Sequence, residues 1–201
     1  ARYQFLEQVS NQIGASKIAL GHHLEDQAET VLMRLFRGSG TTGLQGMLKV
    51  REGKFIRPLL TSSRTEIEEF TNSLDLTPCL DESNMDRSYL RNRIRIDLIP
   101  HLKENYNPNI QEALNRAAEI LQVESDFMDT IATTAFDACK TGDSILDRNK
   151  FLNHHPAIQR RILRLAMIEQ TGHTTDFYYK HIEAMIDLIN GHLPNGRLHL
   201  P

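Results

Sequence analysis

The sequence contains no tryptophan, and only two of its 201 residues are cysteines, Cys79 and Cys139. Their wide separation argues against a zinc or iron–sulfur site built on closely spaced cysteines, and it is typical of a protein in the reducing cytoplasm. No apolar run approaches the ~18 residues that a membrane-spanning helix needs, and no signal peptide opens the chain. The formal net charge of −3 argues against a general attraction to nucleic acid but allows a local basic patch. These absences predict a cytoplasmic protein with no membrane partner and no dedicated metal site.

A short apolar run at 18–20 is followed by a polar stripe in which His23, Asp26 and Glu29 recur at steps of three. The run predicts a buried parallel strand, and a helix beginning after the histidine would place the three side chains on one face. Open α/β sheets bind their ligands at this end of a strand. The alternative, ordinary helix-start acids beside a surface histidine, stays open. We expect both carboxylates to face a ligand cleft and to tolerate substitution, because a separate core face is predicted from Val31, Leu32, Leu35 and Phe36.

The first half of the chain alternates between helices and strands. Helices are predicted over 2–13, 24–37 and 63–74, and strands over 17–21 and 55–60. This alternation predicts a parallel sheet, and because two strands are too few to close one, we expect further strands before residue 1. From residue 88 onward the pattern is helical, over 88–104, 110–140, from 156 and over 176–189. The predicted organisation is a partial α/β domain over 1–106 and a helical domain over 107–201.

Two loops and a cluster of arginines carry further chemistry. The loop over 37–46 has four glycines, which could wrap their amides around a phosphate, but it matches no known phosphate fingerprint and could equally be a mobile linker. An acidic turn follows at 81–84. The next segment places Arg91 and Arg95 one helical turn apart, together with Arg87 and Arg93. These guanidiniums could bind phosphates, or they could form a solvated face paired with Asp86 and Asp97.

Taken in order, these motifs resemble the tRNA(Ile)-lysidine synthetases, a family of the N-type ATP pyrophosphatase, or PP-loop, superfamily. The ordered series is Gly-His-His-x-x-Asp-x-x-Glu-Thr, Arg-Gly-Ser-Gly, Ile-Arg-Pro-Leu-Leu, Asp-Glu-Ser-Asn and Arg-Asn-x-x-Arg. It covers about residues 1–120, and the helical remainder is consistent with the family's middle domain. The first motif is shared loosely across the superfamily, whereas its combination with Arg-Gly-Ser-Gly and Asp-Glu-Ser-Asn is far more specific.

The resemblance implies a Rossmann-like PP-loop ATPase domain and a two-step reaction. ATP, with Mg²⁺, adenylates the C2 carbonyl oxygen of the wobble cytidine in tRNA(Ile) with a CAU anticodon, and free lysine then displaces AMP to form lysidine. By this resemblance His23, Asp26 and Glu29 bind substrate, including the lysine. The catalytic cations are the arginines whose charge suits an adenylation transition state, Arg37, Arg91 and Arg95. The protein could also form a homodimer.

The sequence departs from the family pattern at one important place. Members of the superfamily carry a Ser-Gly-Gly-x-Asp-Ser phosphate loop after their first strand, whereas Gly38-Ser39-Gly40 follows a predicted helix and lacks the Asp-Ser pair. The family's distal C-terminal domain is also missing, so we expect a piece of a longer enzyme that is inactive alone. The alternatives are a tRNA 2-thiolating enzyme of the same superfamily and a non-catalytic helical module that binds RNA or protein.

Overall fold

The computed structural model describes residues 2–76, 79, 81–143, 145–172, 178–191 and 196–199. Two predicted features, the helix start at Asp176 and the turn at Asn195, lie outside these residues. The chain packs as two compact units, residues 1–123 and 124–201. The sequence-based boundary after residue 106 stays a prediction.

The sheet of the first unit is small and mixed. Its described strands, β1 (Ile18–Ala19), β2 (Val50–Arg51) and β3 (Phe55–Ile56), lie in the order β1-β3-β2. β1 and β3 are parallel, as predicted, while β2 runs antiparallel to β3 and was not expected. Both predicted strands are shorter than expected. After β3 the chain turns, because Pro58 has no N–H for a ladder and the Leu60 N–H donates back to the Arg57 carbonyl.

The helices of the first unit follow the sequence signals closely. Ser63 and Glu66 form the predicted capping box, with the Ser63 N–H donating to Glu66 Oε2 at 2.7 Å and the Glu66 N–H donating to Ser63 Oγ at 3.2 Å. The described helices of this unit up to that point are α1 (Arg2–Gln12), α2 (Leu24–Phe36), the short α3 (Thr41–Leu44) and α4 (Arg64–Ser73).

The helix predicted over 88–104 is continuous but irregular. It begins at Leu90 as α5 (Leu90–Arg93), passes through a π-helical segment (Ile94–Leu98) and ends as α6 (Ile99–Asn105). Pro100 has no N–H for the carbonyl four residues before it, and this favours the wider π register at that point. The sequence pattern did not reveal the irregularity.

The first unit has a compact apolar cluster beneath α2. Leu32, Ile94 and Ile99 form its buried centre. The prediction that Leu35 and Phe36 belong to the core is wrong, since they are 51% and 57% exposed. In the last turn of α2 the side chain that turns inward is Arg34, because it donates hydrogen bonds to carbonyls of the loop over 37–46, which we call the glycine loop. Leu35 and Phe36 are therefore left on the outside of the helix.

The second unit is predominantly helical, as predicted, but it also contains a hairpin that the sequence did not reveal. Strands β4 (Lys140–Gly142) and β5 (Ile145–Leu146) pair antiparallel between the two predicted helices, where no strand was expected. They follow the long helix α7 (Ile110–Cys139). The remaining described helices are α8 (Arg148–Leu152), α9 (Pro156–Thr171) and α10 (Tyr179–Ile189). In the described part of the chain no helix is both long and apolar enough to cross a membrane.

Within its described residues, the second unit has a single large apolar core cluster. It includes the buried side chains of Ala135, Phe136, Cys139, Phe151, Ile158, Ile162, Leu163 and Ile182. α9 begins as the sequence predicts, with Pro156 in its first turn and His155 Nδ1 accepting a hydrogen bond from the Ala157 N–H at 3.2 Å.

Candidate functional site

The carboxyl ends of β1 and β3 meet at one edge of the sheet and bring two motif residues together. His22 follows β1, and Arg57 follows β3. Arg57 is only 6% exposed and donates from Nε to His22 Nδ1 at 3.3 Å. Its other described hydrogen bonds go to neutral acceptors, the Leu48 carbonyl at 2.6 Å and the Tyr3 hydroxyl at 3.4 Å. Within the described residues this buried cation has no carboxylate partner, so the edge is electropositive.

His22 is held in this electropositive corner as a neutral side chain. Burial lowers its pKa, and the nearby charges of Arg57, Arg91 and Arg2 lower it further, against an opposing effect of Asp26. Because Nδ1 accepts from Arg57, the ring proton lies on Nε2, which makes His22 a hydrogen-bond donor at neutral pH. His22 was not among the site residues that the sequence pattern predicted. Its position directly after the strand was the signal that could have identified it.

His23, which the sequence singled out, is instead held by the first turn of α2. Its N–H donates to Asp26 Oδ2 at 3.1 Å, and its ring Nδ1 lies 2.8 Å from Glu25 Oε2. Glu25 also accepts from the Arg64 N–H at 3.0 Å, which ties this turn to the start of α4. The hydrogen bond to Glu25 raises the pKa of His23, with a further contribution from Asp26, against the opposing effect of burial.

The His23–Glu25 contact should make stability depend on pH. Because the folded state holds the imidazole proton more tightly than the unfolded state, the contribution is complete below the unfolded pKa of 6.5 and is lost as the pH rises through the raised pKa. Thermal unfolding measured from about pH 5 to 9 should show an alkaline decline that His23→Gln lacks. His154→Gln should keep the wild-type profile, because His154 has no described carboxylate partner. An unchanged profile in His23→Gln would contradict this assignment.

The two carboxylates of the stripe form a buried ion-pair cluster, which corrects the expectation that they face a cleft unpaired. The Glu29 side chain is 1% exposed and binds Arg95 through two contacts, at 2.6 Å to Nε and 3.0 Å to Nη2. Asp26 Oδ1 accepts from the same Nη2 at 3.0 Å. The arginine comes from the π-helical segment, 66 residues after Glu29 in the chain. Helical periodicity within α2 cannot reveal such a partner.

The electrostatics of this cluster follow from burial. Desolvation raises the pKa of Glu29, and the hydrogen bond and charge of Arg95 oppose that effect. The hydrogen bond to Glu29 in turn raises the pKa of Arg95. The carboxylate therefore depends on Arg95 to remain ionised in the interior.

Arg91 lies beside this cluster but is bound less completely. Its Nη2 donates to Thr30 Oγ1 at 2.9 Å, and the same hydroxyl donates to the Asp26 carbonyl at 2.8 Å. Its Nε lies 3.3 Å from Glu29 Oε2 but is buried without a hydrogen-bond partner, so this contact is an ion pair without hydrogen-bond geometry. Among the described residues no acceptor binds Nη1 of Arg91, and its side chain is 38% exposed. Arg91 therefore retains donor capacity for a ligand.

Asn92 connects the acidic turn to this cluster, a role that the sequence reasoning missed. Its Nδ2 donates to the carbonyls of Ser83 at 2.9 Å and Asp86 at 2.8 Å. Within the turn, Asp81 Oδ1 accepts from the Ser83 N–H and caps a short 3₁₀ helix over residues 82–85. The Asp-Glu-Ser-Asn and Arg-Asn-x-x-Arg motifs are thus joined by the hydrogen bonds of Asn92. Among the described residues, the pairing with Asp86 or Asp97 that was predicted as an alternative is found for Arg87, which contacts Asp97 at 3.1 Å.

Arg37, the third predicted catalytic arginine, is not brought to this cluster. It is exposed at the end of α2, eleven residues after Asp26 and about 16 Å away along the helix axis. Arg34, which the sequence reasoning passed over, organises the glycine loop by donating to the carbonyls of Gly43 and Gly46, both at 2.7 Å. Burial lowers the pKa of Arg34, and the nearby charges of Arg57 and Arg37 lower it further.

The glycine loop is folded rather than a free linker. Gln27 binds both backbone groups of Met47, with its Oε1 accepting at 2.7 Å and its Nε2 donating at 3.0 Å. Gly46 has φ +65°, and a Cβ there would lie 2.6 Å from the Gln27 amide, so glycine is required. The N–H groups of residues 38, 39 and 43–47 donate to acceptors within the chain. Few amides of this loop are left to bind a phosphate.

A separate cleft of about 320 Å³ lies beside α2 in the first unit. Its lining includes Gln27, Glu112, Arg116 and Glu119, and none of His23, Asp26 or Glu29. The cleft is therefore distinct from the ion-pair cluster.

The described residues do not provide a metal-binding cluster. No group of three or more His, Cys, Asp and Glu side chains within them could hold an ion. Because Asp26 and Glu29 are both bound to Arg95, they do not fit a Mg²⁺ site, which needs free oxygen ligands. The thiol of Cys139 is buried, and burial raises its pKa.

Comparisons with known proteins identify the family of the chain. A family model described as PP-loop domain matches residues 1–102, and a model described as TilS substrate binding domain matches residues 146–201. A tRNA(Ile)-lysidine synthase of Clostridioides difficile (strain 630) is 36% identical over the whole chain, which covers 44% of that relative. Proteins of the same name are similar in Geobacter sulfurreducens, with 37% identity over 100% of the chain and 44% of the relative, and in Clostridium acetobutylicum, with 38% identity over 92% and 41%.

The chain thus spans about two fifths of the length of these curated relatives. The PP-loop model covers half of the chain and includes the sheet edge, the ion-pair cluster and the motif carrying Arg91 and Arg95. This chain belongs to the PP-loop family.

Proposed function

We propose that the protein containing this chain is an ATP-dependent ligase that joins lysine to C2 of the wobble cytidine in tRNA(Ile) with a CAU anticodon, forming lysidine. The observation that carries the proposal is the order of the two family matches, a PP-loop domain followed by the TilS substrate binding domain, together with relatives named tRNA(Ile)-lysidine synthase. ATP and tRNA are both polyanions, and the electropositive edge formed by Arg57, His22 and Arg91 suits such ligands.

The proposed chemistry assigns different roles to the predicted residues. Negative charge develops on phosphate in the adenylation step, and Arg91 and Arg95 can stabilise it because Asp26 and Glu29 fix their guanidiniums in advance. His22 can donate a hydrogen bond from Nε2 at the same edge. Arg37 stays a predicted catalytic residue, from a position outside the cluster.

The lysine substrate is proposed to contact the outer part of the stripe. Asp26 is 9% exposed and Glu29 is fully buried, so His23 and Asp26 are the groups that an ammonium ion could reach. Glu29 then acts on substrate through Arg95 and Arg91. We propose that Mg²⁺ is bound by the phosphates of ATP and not by the described side chains of this cluster.

The proposal is tested by the product. The intact protein, incubated with ATP, Mg²⁺, isotope-labelled lysine and a tRNA(Ile) transcript with a CAU anticodon, should transfer label to the RNA and release one AMP per lysidine. Nuclease digestion and mass spectrometry identify the modified nucleoside. A transcript whose wobble base is uridine is the control and should stay unlabelled. No lysidine under these conditions would contradict the proposal.

The same reaction separates the alternatives. A 2-thiolating enzyme would incorporate sulfur and no lysine, and the buried thiol of Cys139 with its raised pKa is poorly suited to such chemistry. A non-catalytic module would bind RNA and consume no ATP. We propose the cytoplasm as the place of the reaction, where tRNA, ATP and free lysine meet. A homodimer stays a prediction.

A further inference from the structure

One tyrosine differs from the other four in its surroundings. The ring of each of the others contacts an aromatic or cationic side chain. The pairs are Tyr3 with Phe55, Tyr106 with His101, Tyr178 with His181, and Tyr179 with Arg160. Tyr89 is 61% exposed, and within the described part of the chain its ring has no such partner and its hydroxyl has no hydrogen bond.

Arg93 is exposed and lies one turn after Tyr89, the extended residue that directly precedes α5. Its N–H donates to the Tyr89 carbonyl at 3.1 Å, which places the two residues one turn apart. Its side chain is exposed, and no described carboxylate lies within ion-pair distance. The arginines on either side differ, since Arg91 and Arg95 each contact Glu29.

The position of this pair connects it to the candidate site. Asn92 and Ile94 turn inward and are buried, while Arg91 and Arg95 bind the carboxylates of α2. The segment from Tyr89 to Arg95 therefore carries both the arginines of the ion-pair cluster and an exposed ring and cation that have no described aromatic or carboxylate partner. We call the exposed pair the Tyr89–Arg93 face.

We propose that the Tyr89–Arg93 face binds an unpaired nucleotide of the substrate RNA next to the reacting cytidine, with its base stacked on Tyr89 and its phosphate bound by Arg93. The inference rests on the proposed function. Bases of RNA loops are recognised by stacking on aromatic rings, and a neighbouring guanidinium neutralises the backbone. An apolar protein partner would leave Arg93 without a countercharge, so the combination favours RNA.

The test measures the steady-state kinetics of the intact protein, with the CAU transcript, ATP and lysine varied in turn. Tyr89→Leu keeps a bulky apolar side chain but removes the aromatic face, and we expect it to raise KM for tRNA about tenfold or more. Its KM for ATP and for lysine should stay within about twofold of wild type. Tyr89→Phe should restore KM for tRNA, because stacking needs only the ring. Tyr106→Leu, at another exposed tyrosine, is the matched control and should resemble wild type.

The loss of Arg93 should change how RNA affinity depends on salt concentration. In Arg93→Ala, tRNA affinity should fall, and the slope of log affinity against log salt should become smaller by about one, as expected for the loss of one phosphate contact. Wild-type KM for tRNA in Tyr89→Leu, or an equal rise of KM for all three substrates, would overturn the inference. If wild-type protein makes no lysidine but still binds the transcript more tightly than Tyr89→Leu, the proposed function fails and the stacking contact remains.

Discussion

Replacing Glu29 by glutamine should cost about 2–4 kcal/mol of unfolding free energy, although the side chain changes little in size. The reason is that the variant leaves the Arg95 guanidinium in a largely buried position without its bidentate carboxylate partner. Breaking a buried pair by removing one member costs about 3–5 kcal/mol, and the 28% exposure of Arg95 justifies a lower value. Chemical denaturation of wild type and variant measures the difference.

A surface ion pair in the same unit provides the control for Glu29→Gln. Arg64 and Glu68 contact at 2.7 Å on α4, but both side chains are more than half exposed. Glu68→Gln should therefore cost less than about 0.5 kcal/mol. Equal losses in the two variants would show that burial of the Glu29 pair does not decide its energy. In the intact protein, Glu29→Gln should also lower lysidine formation at least about tenfold, because the arginines lose their fixed positions.

The contrast between Ser63 and Glu29 shows what a sequence can and cannot predict. The capping box that begins α4 joins residues three apart, so its geometry is contained in the local sequence and the prediction is confirmed. The hydrogen bonds between Glu29 and Arg95 join residues 66 apart. The spacing of residues within one helix cannot reveal a contact with another segment of the chain. For this reason the expectation that Asp26 and Glu29 have no ion-pair partner was wrong.

One further error, the assignment of Leu35 and Phe36 to the core, has the same origin. Leu35 and Phe36 fit the period of an apolar helix face, but the neighbouring Arg34 turns inward to bind the glycine loop. Arg37, the arginine that motif position singles out in that segment, is exposed, whereas Arg34 three residues earlier is half-buried. The catalytic role of Arg37 stays a prediction. The βα alternation around β1 and β3 depends only on local patterns, and the parallel pairing it predicted is confirmed.

The arrangement also explains why this site uses arginine. Arg95 binds Glu29 through two parallel N–H groups and shares Nη2 with Asp26, a geometry that a lysine ammonium cannot reproduce. The paired carboxylates neutralise a cation that would otherwise be costly to bury, while the buried Arg57 nearby has no carboxylate partner among the described residues. The edge of the sheet therefore combines a charge-balanced part, the ion-pair cluster, with a buried cation, Arg57, that has no described carboxylate partner.

Arg91→Ala and Arg95→Ala should separate stability from activity. Arg95→Ala leaves Glu29 buried without its main partner, so we expect a loss of about 2–4 kcal/mol. Arg91 is 38% exposed and donates one hydrogen bond, to Thr30, so Arg91→Ala should cost less than about 1 kcal/mol. If Arg91 binds a phosphate in the transition state, the loss of a charge-assisted contact worth about 1.5–3 kcal/mol should lower kcat/KM for lysidine synthesis about tenfold to a hundredfold.

The measurement combines denaturation with steady-state kinetics of the intact protein, varying tRNA and ATP separately. Arg87→Ala is the control, since Arg87 and its partner Asp97 are both more than half exposed and should matter little to either property. Arg91→Lys should recover only part of the lost activity, because an ammonium keeps the charge but not the forked geometry. Wild-type kcat/KM in Arg91→Ala would show that its partly unpaired guanidinium does not act on substrate. A stability loss equal to that of Arg95→Ala would instead make Arg91 a structural member of the cluster.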